Sequence, residues 1–283
     1  MPALIFFLLM LVLPAGLAGA LDVTALYHMG NLGFKQDAEK STDELKGTNY
    51  TYGVSVYGDH RIDDSLTLEA GLMYDPILRK TVQTRFEYSH NFFRIGVGPF
   101  LGVFNTAGTV LKSGISTSVH LEYPGKVFAS LRSDSTIASR FTDKGDYLQE
   151  LNKITVGYYV PHAICSLNLT TKRFVTQKTN ELEVDTSFDE YSFDVDIFQK
   201  NVPVRLLLSF AFQHTDRIYS TETAKAKNRL NSLVFGTRFE IAASRSLTLI
   251  ADADHNIYSF GSEKDASGSS SFLSMPEKGL GLY

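Results

Sequence analysis

The sequence predicts an all-β chain of about fourteen antiparallel strands, connected up and down and closed into a barrel that crosses a membrane with its strands. Three observations predict it. Apolar and polar residues alternate with period two through most of the chain after residue 20, the period of a strand whose two faces differ. No uncharged apolar stretch of about 18 residues follows residue 20, so no helix there is expected to cross a membrane, whereas barrel strands never add up to such a hydropathy peak. Short and long connections take turns along the chain, as they do when all tight turns lie at one end of a barrel and all loops at the other.

Residues 1–20, MPALIFFLLMLVLPAGLAGA, are uncharged and apolar, are interrupted by Pro14 and end in Ala18-Gly19-Ala20. That small-x-small ending predicts a signal peptide cleaved before Leu21. Residues 21–283 then make a single barrel domain. The net charge of -4 is spread evenly over both signs, which leaves no basic field for nucleic acid. Cys165 is the single cysteine, so no intrachain disulfide framework is possible.

The strands follow in order, each justified by one uncharged phase. The first, 21–33, carries Tyr27, and the second, 50–60, carries Tyr50, Tyr52, Val54 and Val56. Segment 65–74 sets Leu66, Leu68, Ala70, Leu72 and Tyr74 on one side and Glu69 on the other; 80–89 sets Phe86 and Tyr88 against Gln83, Arg85 and Glu87. In 92–104 the apolar phase is Phe93, Ile95 and Val97, with Arg94 opposite and Pro99 predicting a bulge. Segments 112–123 (Ile115, Val119, Leu121), 127–136, 148–160 (Ile154, Val156, Tyr158) and 163–173 (Leu167, Leu169) continue the pattern. So do 189–198 (Tyr191, Phe193, Val195, Ile197), 203–214 (Leu206, Leu208, Phe210, Phe212), 229–242 (Leu233, Phe235, Phe239, Ile241) and 247–258 (Leu249, Ala251, Ala253). The last, 272–283, ends on Tyr283, and Pro276 limits where it can begin. Reading it or the stretch 105–112 differently would leave twelve strands. The connections 61–64, 90–91, 124–126, 161–162, 199–202 and 244–246 read as short turns; those that alternate with them, 34–49, 137–147, 174–188, 215–228 and 259–271, read as long loops, except that 75–79 is short and 105–111 intermediate.

The opposite phase holds Arg85, Glu87, Arg94, Glu122, Arg132, Asp134, Asp194, Asp196, Arg205, Arg238, Glu240, Asp252 and Asp254, predicted to line the channel, because such groups demand water or one another. Alternation alone also fits a two-sheet sandwich with one solvated face. The barrel is favoured by large aromatics near strand ends, suited to interfacial girdles, by many glycines on the polar phase, and by the parity of the connections. Turn lengths then predict register: a turn at His90-Asn91 places Glu87 opposite Arg94, four turn residues at 199–202 place Asp196 opposite Arg205, and three at 244–246 place Arg238 opposite Asp252.

On these features the chain resembles the bacterial outer-membrane β-barrels, and in size and strand number the small monomeric fourteen-stranded porins, as an architecture and not by a residue motif. The resemblance implies short periplasmic turns, long outer loops, an outer-membrane lipid environment, and a final aromatic recognised by the outer-membrane assembly machinery, here Tyr283. The expected function is passive diffusion of small hydrophilic solutes or ions, with a lean to cations because acidic residues outnumber basic ones on the lining phase. Two alternatives stand beside it. One is a transport channel for apolar or amphipathic substrates, for which Phe100, Phe104, Phe128, Leu151, Phe198, Leu207, Val234 and Ile250 are the inward candidates; the other is an occluded barrel whose loops bind a partner. His214, Asp216, Asp254, His255 and Ser259 fall near outer strand ends, but their spacing defines no catalytic set. No enzyme activity, cofactor or metal site is therefore expected.

Overall fold

The computed structural model describes residues 21–31, 50–75, 77–105, 109–136, 147–178, 182–199, 202–220, 225–244, 248–264, 270–275 and 280–282. The predicted signal peptide, the loop 34–49, most of the loop 137–147 and the terminal Tyr283 lie outside those residues.

All described regular structure is β. The strands are β1 (Leu21–Asn31), β2 (Tyr50–Arg61), β3 (Leu66–Asp75), β4 (Arg79–His90), β5 (Phe93–Asn105), β6 (Thr109–Tyr123) and β7 (Val127–Thr136). They continue as β8 (Tyr147–Val160), β9 (Ala163–Lys178), β10 (Leu182–Phe198), β11 (Val204–Ser220), β12 (Lys225–Ala242), β13 (Thr248–Lys264), β14 (Ser270–Met275) and β15 (Leu280–Leu282). In one sheet they run in chain order from β1 to β14, each antiparallel to the last. The fold class is as the alternation predicts: all-β, antiparallel and up-and-down.

The sheet curls with its polar face inward. β3 and β9 are six steps apart in the sheet, about 29 Å if flat at ~4.8 Å per strand, yet Lys172 Nζ lies 2.5 Å from Asp75 Oδ2. Arg132 on β7 likewise donates to Gln83 Oε1 on β4 at 2.5 Å. On the convex face Phe86, Ile95, Val97, Leu121, Val156, Leu167, Phe193, Phe210, Phe239 and Leu249 are each more than 40% exposed, while Gln83, Arg85, Asp134 and Asp196 on the concave face are buried. A water-soluble domain distributes these classes the other way round.

The turns at one end are laced together by backbone bonds. Ser89 N donates to Ser65 O, Glu122 N to Phe92 O, Tyr159 N to Lys126 O, Phe198 N to His162 O and Ala242 N to Pro203 O, all between 2.6 and 2.9 Å. Five of the turns at this end are thereby bonded to a strand of the next hairpin.

Four expectations change. The segments 174–188, 215–228 and 259–271, read as outer loops, are largely strand: Phe174 pairs Thr186, Asp216 pairs Arg229 and Lys227 pairs Lys264. Polar residues sit on both faces there, with Thr186, Thr215 and Arg217 buried on the concave one, which hides period two. The predicted strand 272–283 is two pieces, β14 against Ser259–Lys264 and β15 against Ala253–His255; they flank Pro276, which has no N–H for a ladder. Pro99 does not shift the register: the β4–β5 ladder simply lapses at Gly98 and Pro99, Gln83 pairing Phe100 and Phe86 pairing Val97 on either side. A Cβ on Gly98 would collide with Thr84 O. The register shift occurs instead between Leu233 and Val234 against β13, and there both Ile257 and Tyr258 are exposed.

The turn of the fourth hairpin is Asn91-Phe92 rather than His90-Asn91, with His90 opposite Phe93. Asn91 takes φ 48°, a left-handed conformation that asparagine tolerates better than most residues.

Candidate functional site

The concave wall gathers the ionisable residues that the polar phase predicts, and it divides into two regions. On β3 to β9 the side chains consume one another. Arg85 donates to Glu69 and is buried. Arg132 bonds Asp134 through Nε at 2.8 Å and Nη2 at 2.6 Å, and Ser116 donates to the same carboxylate at 2.6 Å. Glu122 accepts from Tyr159 Oη at 3.0 Å with His120 Nε2 3.5 Å away. Arg94 and Glu87 do pair, at 3.5 Å, but across a diagonal, since Glu87 is directly opposite Gly96.

At the end far from the laced turns this region is filled. Phe104 is fully buried, its ring 5.1 Å from that of Tyr147 and 5.5 Å from that of Phe174. Phe100, Ile77, Leu78 and Gln149 are buried with it. Sequence reasoning set Phe100 and Phe104 on the inward phase but missed that Ile77 and Leu78 join them. Ile77 and Leu78 read as part of a short polar-flanked connection, and nothing in their spacing says that the connection bends inward.

Between β10 and β13 the wall is more open. A cavity of about 280 Å³ is lined by Glu190, Ser209, Gln213, Arg238, Asp252 and Asp254 together with the apolar Leu207 and Val234. Arg238 makes a two-pronged pair with Asp252 at 2.6 and 3.0 Å, and the two are directly opposite as predicted. Asp194 accepts from Asn168 Nδ2 at 2.9 Å and Ser209 Oγ at 2.6 Å; Gln213 donates to Glu190 at 2.7 Å. Asp254 leans over Gly236, where a Cβ would stand 2.6 Å from its Oδ1. Arg205 grips Asp196 and lies 3.7 Å from Glu240; the first pair is diagonal again, because Arg205 faces Phe198. Glu190 is a member of this wall that the sequence signalled only through its parity with Asp194 and Asp196.

Beyond the apolar run the outward face of β9 to β12 turns charged. Arg173 pairs Asp185 at 2.8 Å, and Asp216 takes Lys227 at 2.8 Å and Arg229 at 3.0 Å. Burial works to raise the Asp216 carboxyl, but the bonds from Arg229 and Lys227 outweigh it and hold the group at about 2. His214 and Asp216 come within 3.4 Å, with Asn231 Oδ1 2.6 Å from His214 Nδ1. Asp254 belongs instead to the concave cavity, so the outer-end residues do not converge on one place. No grouping of His, Cys, Asp and Glu among the described residues could hold a metal ion.

No protein-family model matches the chain, and no curated protein matches it. Among solved structures it is similar to a loop L8 deletion mutant of OmpT, an outer membrane protein of Vibrio cholerae, at 11% identity, covering 94% of this chain and 98% of that one with a TM-score of 0.35. The in-vitro folded trimer form of OmpT from Vibrio cholerae gives 11% identity, the same coverages and a TM-score of 0.36. A likeness this distant identifies neither a family nor an activity.

Proposed function

We propose that the chain is an integral β-barrel of a bacterial outer membrane, and that it passes small hydrophilic solutes or ions, cations preferentially, along the β10–β13 side of its interior. One observation carries the membrane reading: the aliphatic and aromatic face is exposed and the ionisable face is buried. On β11 the apolar run spans Val204 to Phe212 and on β12 Leu233 to Ile241, in each case about 9 residues, or ~30 Å of strand and ~23 Å of bilayer at the usual tilt. That matches the apolar band of a barrel wall. The acid-rich cavity beside β10–β13 supports the preference for cations, since fixed carboxylates along a path raise the local concentration of positive ions. Lipid bilayer, permeating solutes and the outer-membrane assembly machinery are the partners this reading entails. It assigns no catalytic role.

A second reading is favoured by the packing around Phe104 and Gln149: a barrel whose interior is closed and whose long strands β9 to β13 present a surface to a partner. The channel for apolar substrates has less support, because Phe100 and Phe104 are buried in packing rather than lining an open tube. Planar-bilayer recording of refolded protein separates the readings. Stable ionic steps with cation preference are the expected result; silence from protein with demonstrated β-structure transfers the assignment to the closed, surface-presenting barrel.

A further inference from the structure

We infer that the β3–β4 turn is a latch, drawn across the interior and held against β8 and β9 by side-chain bonds that can be released without unfolding the sheet. The turn is built to point inward. Asp75 Oδ1 accepts from the backbone N–H of Ile77 at 2.8 Å and of Leu78 at 2.9 Å, an Asx-type closure that folds the chain over its own carboxylate. The other oxygen of the same carboxylate is held by Lys172 Nζ at 2.5 Å, from the strand six places away. Lys172 in turn lies over the Phe188 ring, 5.1 Å from its centroid.

The second tie is Gln149. Its Nε2 donates to Leu78 O at 2.5 Å and to Lys80 O at 3.3 Å, which pins the turn and the start of β4 to β8. None of these bonds belongs to a strand ladder. The turn's own ladder neighbours, β3 and β4, pair each other through Asp75 and Arg79, so releasing the two ties leaves the sheet hydrogen bonds in place. The filled space is therefore a removable one: Ile77 and Leu78 swinging out would vacate the region between Phe104 and Lys172.

The latch rests on the proposed function only for its effect on current, and the test keeps the two apart. In a Cys165→Ser background, Leu78→Cys is the sole thiol, and its reaction with a charged methanethiosulfonate reagent reports whether the turn is sealed. A thiol at Asp64→Cys, in an exposed turn, gives the unprotected rate. The latch predicts slow reaction at position 78, accelerated about ten- to a hundredfold when Lys172→Met and Gln149→Ala are added, as expected for loss of one ion pair and one buried hydrogen bond in a two-state opening. Should Lys172→Met fail to fold, Gln149→Ala alone must still accelerate the reaction several-fold. Reaction at the Asp64→Cys rate without the added substitutions, or no acceleration with them, overturns the latch. Acceleration in a barrel that carries no current supports the latch and overturns permeation; acceleration together with larger ionic steps supports both.

Discussion

The two sides of the interior use the same residue types to opposite ends. On the β3–β9 side Arg85, Arg94 and Arg132 each lie against a carboxylate, and the far end is filled by Phe104, Leu78 and Gln149. On the β10–β13 side carboxylates exceed guanidinia, and Glu190, Asp252 and Asp254 edge a cavity. The difference follows from side-chain reach and backbone path rather than from composition. β5 alternates Gly96, Gly98, Phe100, Gly102 and Phe104 on its concave face, and its small residues let neighbouring side chains lie flat while its rings fill what is left. β11 offers Leu207, Ser209, Ala211 and Gln213, too short to cross the gap. A wall becomes open or closed according to which side chains can meet across it.

The largest expected effect breaks that contrast directly. Phe104→Ala removes a fully buried ring and is expected to cost about 3–5 kcal/mol, whereas Leu207→Ala, on the cavity wall, is expected to cost less than about 1.5 kcal/mol because it borders existing space. Guanidinium unfolding of the refolded protein measures both, and equal losses would abolish the distinction between filled and open sides.

Next in size is the outer surface, which the two sides should share. Val156→Arg and Phe210→Arg place a charge on the exposed apolar face of the closed and open sides respectively, each expected to cost about 2–4 kcal/mol if that face meets lipid near the bilayer midplane. Unfolding from lipid vesicles checks this; two substitutions without effect would mean that neither side touches acyl chains. A third measurement sharpens the functional half. Glu190→Gln with Asp254→Asn should lower the cation-to-anion permeability ratio about two- to fivefold, through loss of fixed charge along the path, while Glu87→Gln on the closed side leaves it unchanged. Reversal potentials in a salt gradient read the ratio.

The smallest effect concerns the charged crown of the long strands. Because Asp216 titrates at about 2 rather than its ordinary 3.8, its pairing stabilises the crown fully above the ordinary value and is lost as pH falls through the lower one. The cationic partners Lys227 and Arg229 are 38% and 48% exposed and screened by solvent, so the worth of the pairing is below about 1 kcal/mol. Protease resistance of the far end should therefore decline between pH 4 and pH 2, and less so in Asp216→Asn; indifference of both proteins to pH in that window would detach the crown from this pair.

Much of the wall was legible in the residues. Arg238 and Asp252 meet directly across their hairpin, and Phe239 faces Ala251 beside them. For Glu87–Arg94 and Asp196–Arg205 the partners were right and the register was not, because one residue more or less in a turn slides the ladder while long side chains still reach along the diagonal. The upper halves of β9 to β13 were illegible for another reason: polar residues on both faces erase the alternation that marks a strand, even though Arg173–Asp185 and Asp216–Arg229 hold the pairs together. The inward turn at Ile77 and Leu78 left no periodic trace at all.

What the amino-acid order determined by itself was the two-faced, antiparallel meander, since side-chain alternation and turn spacing are local properties that each strand carries alone. Which part of the interior is filled, where the strands end and which ion pairs are direct were decided only in the folded sheet. Those depend on curvature bringing residues such as Asp75 and Lys172 together from distant strands, and no separation along the chain encodes that distance.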